Sequence, residues 1–454
     1  MRDADVPGGA GAPALMVFTR DLRVTDNPAL TAAFASGTLR CAFVHDTVLR
    51  HACRNAPRRL QFLAECLADL DGSLRLLGSR LEERAGSWVE EVLRLVAETG
   101  ARTVHLSEDV TPYAQRRTAR LRAALGRSAE LVTHPGVTVV PPGALRPSGN
   151  DHYRVFSPYY RRWVATPRRA VMPAPRGAAA PDGPAAPARR AAARPPASPG
   201  SRGGEQAATA RLLEWSEQGI SRYGGHRDDL RGPATSRLSA DLHFGCLSPL
   251  AVERAVAARP GADPFLRQLC WRDFYLQIAA RSPRSVWAPG AATPPGTSAR
   301  TRAVLQAWRD GTTGVPIVDA AMRQLAEEGF LVNRTRMIVA SFLTRTLGLD
   351  WREGAAHFLD RLVDADVTLN NLNWQWTAGL GTGGNPWRVL DPTRQARRFD
   401  PQGCYVRRYV PELRSLAPVE VHEPWRLGRR GLRGLGYPAP VVPVGATVGR
   451  TGAP

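Results

Sequence analysis

Residues 364 to 379, DADVTLNNLNWQWTAG, concentrate side chains that can do chemistry. The stretch holds two aspartates, three asparagines and two tryptophans in sixteen residues. If residues 366 to 374 are helical, Asp366, Asn370 and Trp374 lie at i, i+4 and i+8 on one face, where an ordinary core would place Leu or Ile. This face indicates a bound polar group rather than packed hydrocarbon, and a metal ion beside the two carboxylates would give a similar pattern.

Three other stretches combine polar side chains with neighbours that suit ligand binding. RQLCWRDFY (267 to 275) and FLVNRTRM (330 to 337) each place Trp or Met beside arginine and a neutral amide. That mixture suits a nucleobase that is stacked while its edge is hydrogen-bonded. The hydroxyls and arginine of ATSRLSADLHFG (234 to 245) suit a phosphate. Taken singly, each stretch is better explained by core packing or by a helix N-cap than by ligand binding.

The first third of the chain alternates short apolar runs with longer amphipathic ones. Strands are predicted at 14 to 19, 39 to 44, 74 to 78 and 102 to 107, and helices at 58 to 70 and 87 to 100. This order predicts a parallel, Rossmann-like α/β layer. Ligands of such sheets lie beyond the carboxyl ends of the strands. Here those ends include 19 to 27 and 107 to 117.

The remainder of the chain has a different character. Residues 166 to 204 are rich in Pro, Ala, Arg and Gly and have no apolar period, which is typical of a linker. Five later segments have helical periodicity and no strand pattern returns, so an all-α domain is predicted. We expect an α/β domain over 14–135, an interdomain linker over 136–204, a helical domain over 205–426 and an irregular tail over 427–454.

Composition restricts the function. The formal net charge is +20, and all 61 basic residues are arginine, which excludes chemistry that needs a lysine amine, such as a Schiff base. Codon bias explains the missing lysine but not the surplus of base over acid, so a polyanionic partner is predicted. The six cysteines form no CxxC pair, so we expect buried thiols and neither a zinc site nor a disulfide framework. Without a predicted signal peptide or membrane span, a cytoplasmic protein is expected.

Together these stretches resemble the DNA photolyase and cryptochrome family, most closely the class I enzymes that repair cyclobutane pyrimidine dimers. The similarity runs from about residue 14 to 425. Its most specific parts are TSRLS, WRDFY, TGVPIVDAAMRQL, NRTRM, DWREG and DADVTLNNLNWQW, in that order. The resemblance implies an N-terminal α/β antenna domain and a helical domain that binds FAD, which is reduced when active.

The resemblance also implies roles for individual residues. Arg336 would pair with Asp364 beside the flavin ring, Asp366 would bond its polar edge, and Asn370 would face N5. Trp374 and Trp351 would be the proximal and middle members of a tryptophan chain for photoreduction. The set implied to bind the cofactor is Tyr223, Thr235, Ser236, Arg237, Leu238, Ser239, Arg336, Asp364, Ala365, Asp366 and Asn370.

For the substrate, the resemblance implies a flipped-out dimer that receives an electron from photoexcited FAD. Trp271 and Trp376 would wedge and stack the dimer, while Asn333 and Met337 match the pocket of the dimer-repairing class. The set implied to contact DNA or the lesion is Arg227, Gln268, Trp271, Arg272, Asn333, Arg334, Met337, Trp376 and Gln395.

Three positions depart from the family pattern. Gln268 stands where a glutamic acid usually hydrogen-bonds the dimer, and an amide can donate that bond but cannot supply a proton. The distal tryptophan would fall near Ser298, so we expect electron flow to the surface to be weakened or rerouted through another Trp or Tyr. Asp273 replaces a common glutamate, which is a milder change.

The resemblance leaves two alternatives open. An antenna chromophore is expected, with 8-hydroxy-5-deazaflavin favoured over methenyltetrahydrofolate because of EDVTPYAQRR and TRDLR, although an empty pocket is an alternative. A cryptochrome-like photoreceptor without repair activity is the alternative to a repair enzyme. The expected partner is dimer-containing DNA, with no membrane, no obligate protein partner and a monomeric state.

Overall fold

The computed structural model describes residues 12–52, 56–176, 202–232, 235–287, 298–381 and 389–443. The N-terminal part contains a five-stranded parallel sheet in the order β3-β2-β1-β4-β5, with helices against it. Its elements are β1 (Ala14–Phe18), α1 (Pro28–Phe34), β2 (Leu39–Asp46), α2 (Thr47–Ala52), α3 (Pro57–Leu76), β3 (Leu81–Gly86), α4 (Trp88–Thr99), β4 (Thr103–Ser107), α5 (Pro112–Leu125) and β5 (Glu130–His134).

The central strand is buried along its whole length, as expected of a strand covered on both faces. In register, Ala14 lies beside Leu39 on one side and beside Thr103 on the other. The predicted strand at 74 to 78 is wrong, because Leu74 to Leu76 form the last turn of α3. The third strand is instead β3, a half-exposed edge strand of sequence LEERAG.

The helical part follows after residue 202. Its helices are α7 (Glu205–Glu214), α8 (Ile220–His226), α9 (Ser239–Phe244), α10 (Pro249–Val256), α11 (Asp263–Arg281), α12 (Ala299–Asp310), α13 (Pro316–Glu328), α14 (Asn333–Ser341), α15 (Trp351–Arg361), α16 (Val367–Thr377), α17 (Pro392–Phe399), α18 (Cys404–Tyr409) and α19 (Gly428–Leu435), while α6 (Phe156–Ala165) precedes them. Single π-helical turns join α7 to α8 and extend α14. Every element described after residue 202 is helical, which confirms the predicted all-α domain.

The two parts share one hydrophobic core. A single cluster of buried side chains runs from β1 and α3 to α9, α10 and α11. At its centre Phe62 of α3 stacks on Phe244 of α9 with 5.2 Å between ring centroids. The thiols of Cys66 and Cys246 meet there at 3.3 Å. Because this boundary is as apolar and as buried as a domain interior, the relative placement of the two parts is fixed by packing.

The loop between β1 and α1 carries the polar part of this interface. The fully buried guanidinium of Arg23 donates to the carbonyl oxygens of Asp26 at 2.9 Å, Gly136 at 3.1 Å and Gly245 at 3.0 Å. The backbone N–H groups of Val24 and Thr25 donate to the carboxylate of Glu205, at the start of α7. The loop predicted to lie at the ligand edge of the sheet is therefore also the main polar contact between the domains.

Two further expectations need correction. The tail was expected to be irregular from residue 427, but α19 forms there, with Leu432 buried. Beyond α19, the hydroxyl of Tyr437 donates to the buried carboxylate of Asp319 at 2.5 Å. Of the cysteines expected to be buried, Cys404 is exposed and Cys53 lies outside the described residues.

Some calls fall on segments that are not described. Most of the Pro-rich linker, residues 177–201, and the end of the tail, residues 444–454, lie outside the described residues. Within the described part, no helix is both long enough and apolar enough to cross a bilayer.

The contact between α15 and α16 depends on a glycine. A Cβ on Gly354 would lie 2.1 Å from the ring of Trp374 and 2.6 Å from Leu343. We therefore expect Gly354→Ala to lower the free energy of unfolding by about 1–3 kcal/mol through overpacking, as measured by urea denaturation.

The matched control is Gly72→Ala, near the C-terminal end of α3, where a Cβ would meet no atom within 4 Å. That substitution is expected to raise the free energy of unfolding by up to about 1 kcal/mol, because alanine is the better helix former. Equal effects of the two substitutions would contradict the close approach at Gly354.

Candidate functional site

The site is built on the start of α16. Asp366 is the N-cap of this helix, and its Oδ1 accepts a hydrogen bond from the backbone N–H of Leu369 at 2.9 Å. Four residues later the side-chain amide of Asn370 donates to the carbonyl of Ala355, in α15, at 3.1 Å. It also donates to Oδ1 of Asn371 at 3.1 Å, so the Oδ1 atom of Asn370 is left as an acceptor.

Asp364 forms the ion pair that the resemblance implied. Its Oδ2 accepts from Nη2 of Arg336 at 2.8 Å. Burial opposes ionisation, but Arg336 outweighs it and holds the pKa of Asp364 below its usual value. The other oxygen, Oδ1, is buried with no hydrogen-bond partner in the described part of the chain. A carboxylate oxygen in that position is ready to accept from a ligand.

Asp366 is paired with an arginine from the other domain. Nη2 of Arg20, in the loop after β1, makes a short charge-assisted hydrogen bond to Oδ2 of Asp366. Nε of Arg20 donates to the carbonyl of His243 at 3.0 Å, and Nη1 lies 3.6 Å from the carboxylate of Asp109. Burial would raise the pKa of Asp366, but Arg20 and its neighbours lower it to about 2. Sequence reasoning missed both Arg20 and His243, although TRDLR and LHFG contain them.

The turn from Thr235 to Ser239 has an unusual backbone. Arg237 has a φ of +54°, a left-handed conformation that is uncommon for a residue with a side chain. Its guanidinium pairs with the buried carboxylate of Glu328 at 2.8 Å and lies 4.4 Å over the ring of Phe330. These two contacts stabilise the strained backbone of Arg237, and such strain is common at ligand sites.

Other members of the predicted cofactor set lie near this turn or near α16. Tyr223, in α8, is buried with its ring edge-on to Trp215 and Phe265, both at 5.6 Å between centroids. Leu238 and Ala365 are buried, and Thr235 and Ser236 are half-buried.

Residues predicted to meet the lesion lie on α11, α14 and α16. Trp271 is half-buried and stacks parallel on Phe156 at 3.8 Å between centroids, with Gln268 one turn earlier in α11. On α14, the amide of Asn333 lies 3.6 Å from the sulfur of Met337. Trp376 is half-buried on α16.

The predicted DNA contacts are partly brought together. Nη1 of Arg334 donates to Oε1 of Gln395 at 3.4 Å, and Nη2 pairs with Asp228 at 2.6 Å. Arg227 precedes Asp228 at the end of α8. These residues join the ends of α8, α14 and α17 into one polar cluster.

The prediction that Arg272 contacts DNA is wrong in this structure. Its side chain is buried and donates to the carbonyls of Val137 and Leu242. Its neighbour Asp273 is equally buried and accepts from the backbone N–H groups of Val139 and Val140 at 2.9 and 3.1 Å. Both side chains therefore bind the segment before α6 to the helical domain, because their groups point inward rather than to solvent.

A serine, not a tryptophan, lies near the expected distal position of the tryptophan chain that the resemblance implies. Ser298, near the expected distal position, is the exposed N-cap of α12. Trp374 is buried, and its ring meets that of Trp308 edge to face at 6.1 Å between centroids. Trp308 is fully buried, and Trp351 is buried with an indole nitrogen that has no partner among the described residues. Weakened or rerouted electron flow stays a prediction, with Trp308 as the tryptophan in ring contact with Trp374.

The carboxyl end of the sheet forms a second polar region. The hydroxyl of Tyr113 donates to Asp46, at the end of β2, at 2.5 Å. The guanidinium of Arg117 stacks over Trp88 at 4.1 Å and lies 3.9 Å from Asp46. This is the region of EDVTPYAQRR, where an antenna chromophore was expected.

The residues around α16 suit a flavin. Such a ring offers N–H donors and carbonyl acceptors along one edge, in a site from which water is excluded. Asp364 supplies a buried acceptor without a partner, and the buried hydroxyl of Thr368 also has none among the described residues. Arg336 and Arg20 supply positive charge beside Asp364 and Asp366. A polar, partly unsatisfied face of this kind fits the group that the sequence implied.

Known proteins match this chain over nearly its whole length. The family described as DNA photolyase matches residues 14–179, and the FAD binding domain of DNA photolyase matches residues 265–451. A deoxyribodipyrimidine photo-lyase of Streptomyces griseus is 47% identical, with 94% of this chain and 96% of the relative covered.

Solved structures agree with the sequence comparison. A class III photolyase from Agrobacterium tumefaciens superposes with a TM-score of 0.87 at 30% identity, covering 97% of each chain. A cryptochrome from Synechocystis superposes with a TM-score of 0.83 at 28% identity, covering 95% of this chain and 97% of the other. The class I assignment stays a prediction, because these neighbours include another class and a cryptochrome.

The half-buried His243 is expected to make the stability of the fold depend on pH. Burial, and then the positive charge of Arg20, lower the pKa of His243 to about 3. Asp366, Arg59 and Asp364 are the other charged groups that face it. An unfolded histidine takes up its proton near pH 6.5, whereas the folded one stays neutral until about pH 3, so folding is expected to weaken as the pH falls through this window.

We expect His243→Gln to reduce this loss of stability. The measurement is the free energy of unfolding in urea at about pH 7 and about pH 5, because an unperturbed histidine changes charge between them. The control is His226→Gln, at an exposed position in α8. An unchanged difference between the two pH values in His243→Gln would refute the assignment.

Proposed function

Because the chain belongs to the DNA photolyase family and its helical half is that family's FAD-binding domain, we propose that it repairs cyclobutane pyrimidine dimers in DNA, driven by light. The S. griseus relative, at 47% identity, is named for action on deoxyribodipyrimidines, and this supports the substrate class. The reaction is a carbon-carbon lyase reaction. We also propose that the chain belongs to class I, because its sequence motifs most closely resemble that class.

The observation that carries the proposal is the pairing at the start of α16. Two buried carboxylates, Asp364 and Asp366, are each held by one arginine, and one oxygen of Asp364 has no hydrogen-bond partner among the described residues. Asn370 adds an acceptor on the same helix. A buried, fixed array of acceptors beside two cations suits an electron-rich flavin better than a hydrocarbon core or a hydrated metal ion.

Bound FAD, reduced and excited by light, supplies the electron that splits the dimer. The residues of this chain bind and place the reactants. Asp364 and Asn370 orient the cofactor, and the ring of Trp271 offers a stacking surface to an extruded base. Asn333 and Met337 lie side by side on α14, where they form an amide-and-thioether surface suited to a pyrimidine edge. The arginine surplus favours the DNA backbone.

Gln268 bears on the efficiency of repair. It lies half-buried one turn before Trp271 on α11, so its amide and the indole share a helix face. An amide stabilises a developing negative charge on the dimer through an N–H bond but cannot transfer a proton. We therefore assign Gln268 the role of a hydrogen-bond donor to the lesion.

An antenna chromophore remains part of the proposal. Tyr113, Asp46, Arg117 and Trp88 form a polar and aromatic region at the carboxyl end of the sheet. An aromatic platform with an arginine suits a flat, anionic chromophore, which favours 8-hydroxy-5-deazaflavin.

The function is tested by one comparison. The purified protein, loaded with FAD and chemically reduced, is given dimer-containing DNA under blue light or in darkness, and intact dimers are counted. We expect dimers to disappear only in the light. Bound FAD without any light-dependent loss of dimers would instead favour the cryptochrome-like photoreceptor, a reading that the Synechocystis neighbour supports.

Gln268→Glu is expected to raise the number of dimers split per absorbed photon. A protonated carboxyl can both donate a hydrogen bond and supply a proton to the reduced dimer. Repair yield at fixed light dose is the measurement. Gln206→Glu makes the same substitution at an exposed site on α7 and is expected to leave the yield unchanged. A yield that falls or stays constant in Gln268→Glu would remove Gln268 from the proposed role.

A further inference from the structure

Arg20, in the sheet domain, bonds Asp366 at the start of the flavin-facing helix α16. The family resemblance implied no role for Arg20. It lies just beyond β1, and most of its side chain is buried in the helical domain. Each nitrogen of its guanidinium has its own target: Nε the carbonyl of His243, Nη2 the carboxylate of Asp366 and Nη1 the carboxylate of Asp109. A planar group with fixed donors can hold three partners in one geometry, which a lysine could not do.

The two oxygens of Asp366 have different tasks because of this contact. Oδ1 caps α16 through the N–H of Leu369, and Oδ2 receives Arg20. The carboxylate is buried, so without Arg20 its charge would have to be neutralised or exposed to water. Arg272, the other arginine among the charges that favour the ionised form of Asp366, is already engaged with the carbonyls of Val137 and Leu242.

The backbone conformation around Arg20 fixes the position of its side chain. Gly245 ends α9 with a φ of +72°, and a Cβ there would lie 1.9 Å from the carbonyl oxygen of Arg20. Beside it, the N–H of Leu22 donates to the carbonyl of Phe244 at 3.2 Å. The close approach of two backbones therefore fixes where the side chain of Arg20 begins.

We propose that Arg20 is a positioning residue of the cofactor site, through which the α/β domain keeps Asp366 oriented toward the flavin. The inference rests on the proposed function, since it takes the face of α16 to be the flavin face. Arg20 acts through Asp366 and is not itself a catalytic residue. In this scheme, docking of the sheet domain and affinity for FAD are coupled by one side chain.

The test is a double-mutant cycle on FAD affinity. Apoprotein of the wild type, Arg20→Gln, Asp366→Asn and the double variant is titrated with FAD in the dark, and the dissociation constant is read from flavin fluorescence. Asparagine keeps the N-cap of α16, so Asp366→Asn removes the charge but not the cap. A hydrogen bond to a charged group corresponds to about a tenfold change, so each single variant is expected to bind FAD about tenfold more weakly.

The double variant is expected to bind within about twofold of Asp366→Asn, because Arg20 then has no carboxylate left to orient. Arg20→Lys keeps the charge and is expected to recover part of the lost affinity. Arg75→Gln, which removes an exposed ion pair on α3, is the control and should bind FAD like the wild type. If Arg20→Gln does not fold, the cycle is run with Arg20→Lys.

Three outcomes overturn the proposal. Wild-type affinity in Arg20→Gln would show that Arg20 does not position the site. A double variant weakened by the product of the two single effects would show that Arg20 acts independently of Asp366. Failure of the wild-type apoprotein to bind FAD would overturn the proposed function as well, whereas the first two outcomes leave that function standing.

Discussion

The burial of arginine at the domain boundary is the constraint on which this structure depends. Arg23 and Arg20 both lie in the loop after β1, and their guanidinium groups contact the helical domain. A buried guanidinium needs an acceptor for each donor, because an unpaired charge away from water is costly. Carbonyls of α9 and the carboxylate of Asp366 meet that need. The relative placement of the domains and the polarity of the cofactor face are therefore set together.

Much of the fold followed from local patterns. One of the five segments with helical periodicity forms the helix Asp263–Arg281, because Pro264 starts it and apolar residues recur at helical spacing up to Ile278. The strand prediction at LRLLG was wrong, because this apolar run completes the buried face of α3. The true strand, LEERAG, has three consecutive charged residues, which suit its place at the edge of the sheet, where it pairs with β2 only.

The site was predictable to the extent that its contacts are close in sequence or carried by a family motif. Arg336 and Asp364 lie 28 positions apart and within two motifs, and their pairing followed from the resemblance. Arg20 and Asp366 are separated by 346 positions, and no periodicity connects such residues. Arg272 was misassigned for a related reason. The WRDFY motif predicts that Arg272 lies near the substrate helix, but it does not predict the direction of the side chain. Packing directs that side chain inward.

The shared apolar boundary between the two domains limits how far the chain can be shortened. A fragment beginning at α7 would expose the ring of Phe244 and the thiol of Cys246 to solvent, since both are covered by α3. It would also lose the donors that now satisfy the carbonyls of His243 and Gly245. A minimal flavin-binding scaffold cut from this protein would thus have to supply a replacement for that covering surface.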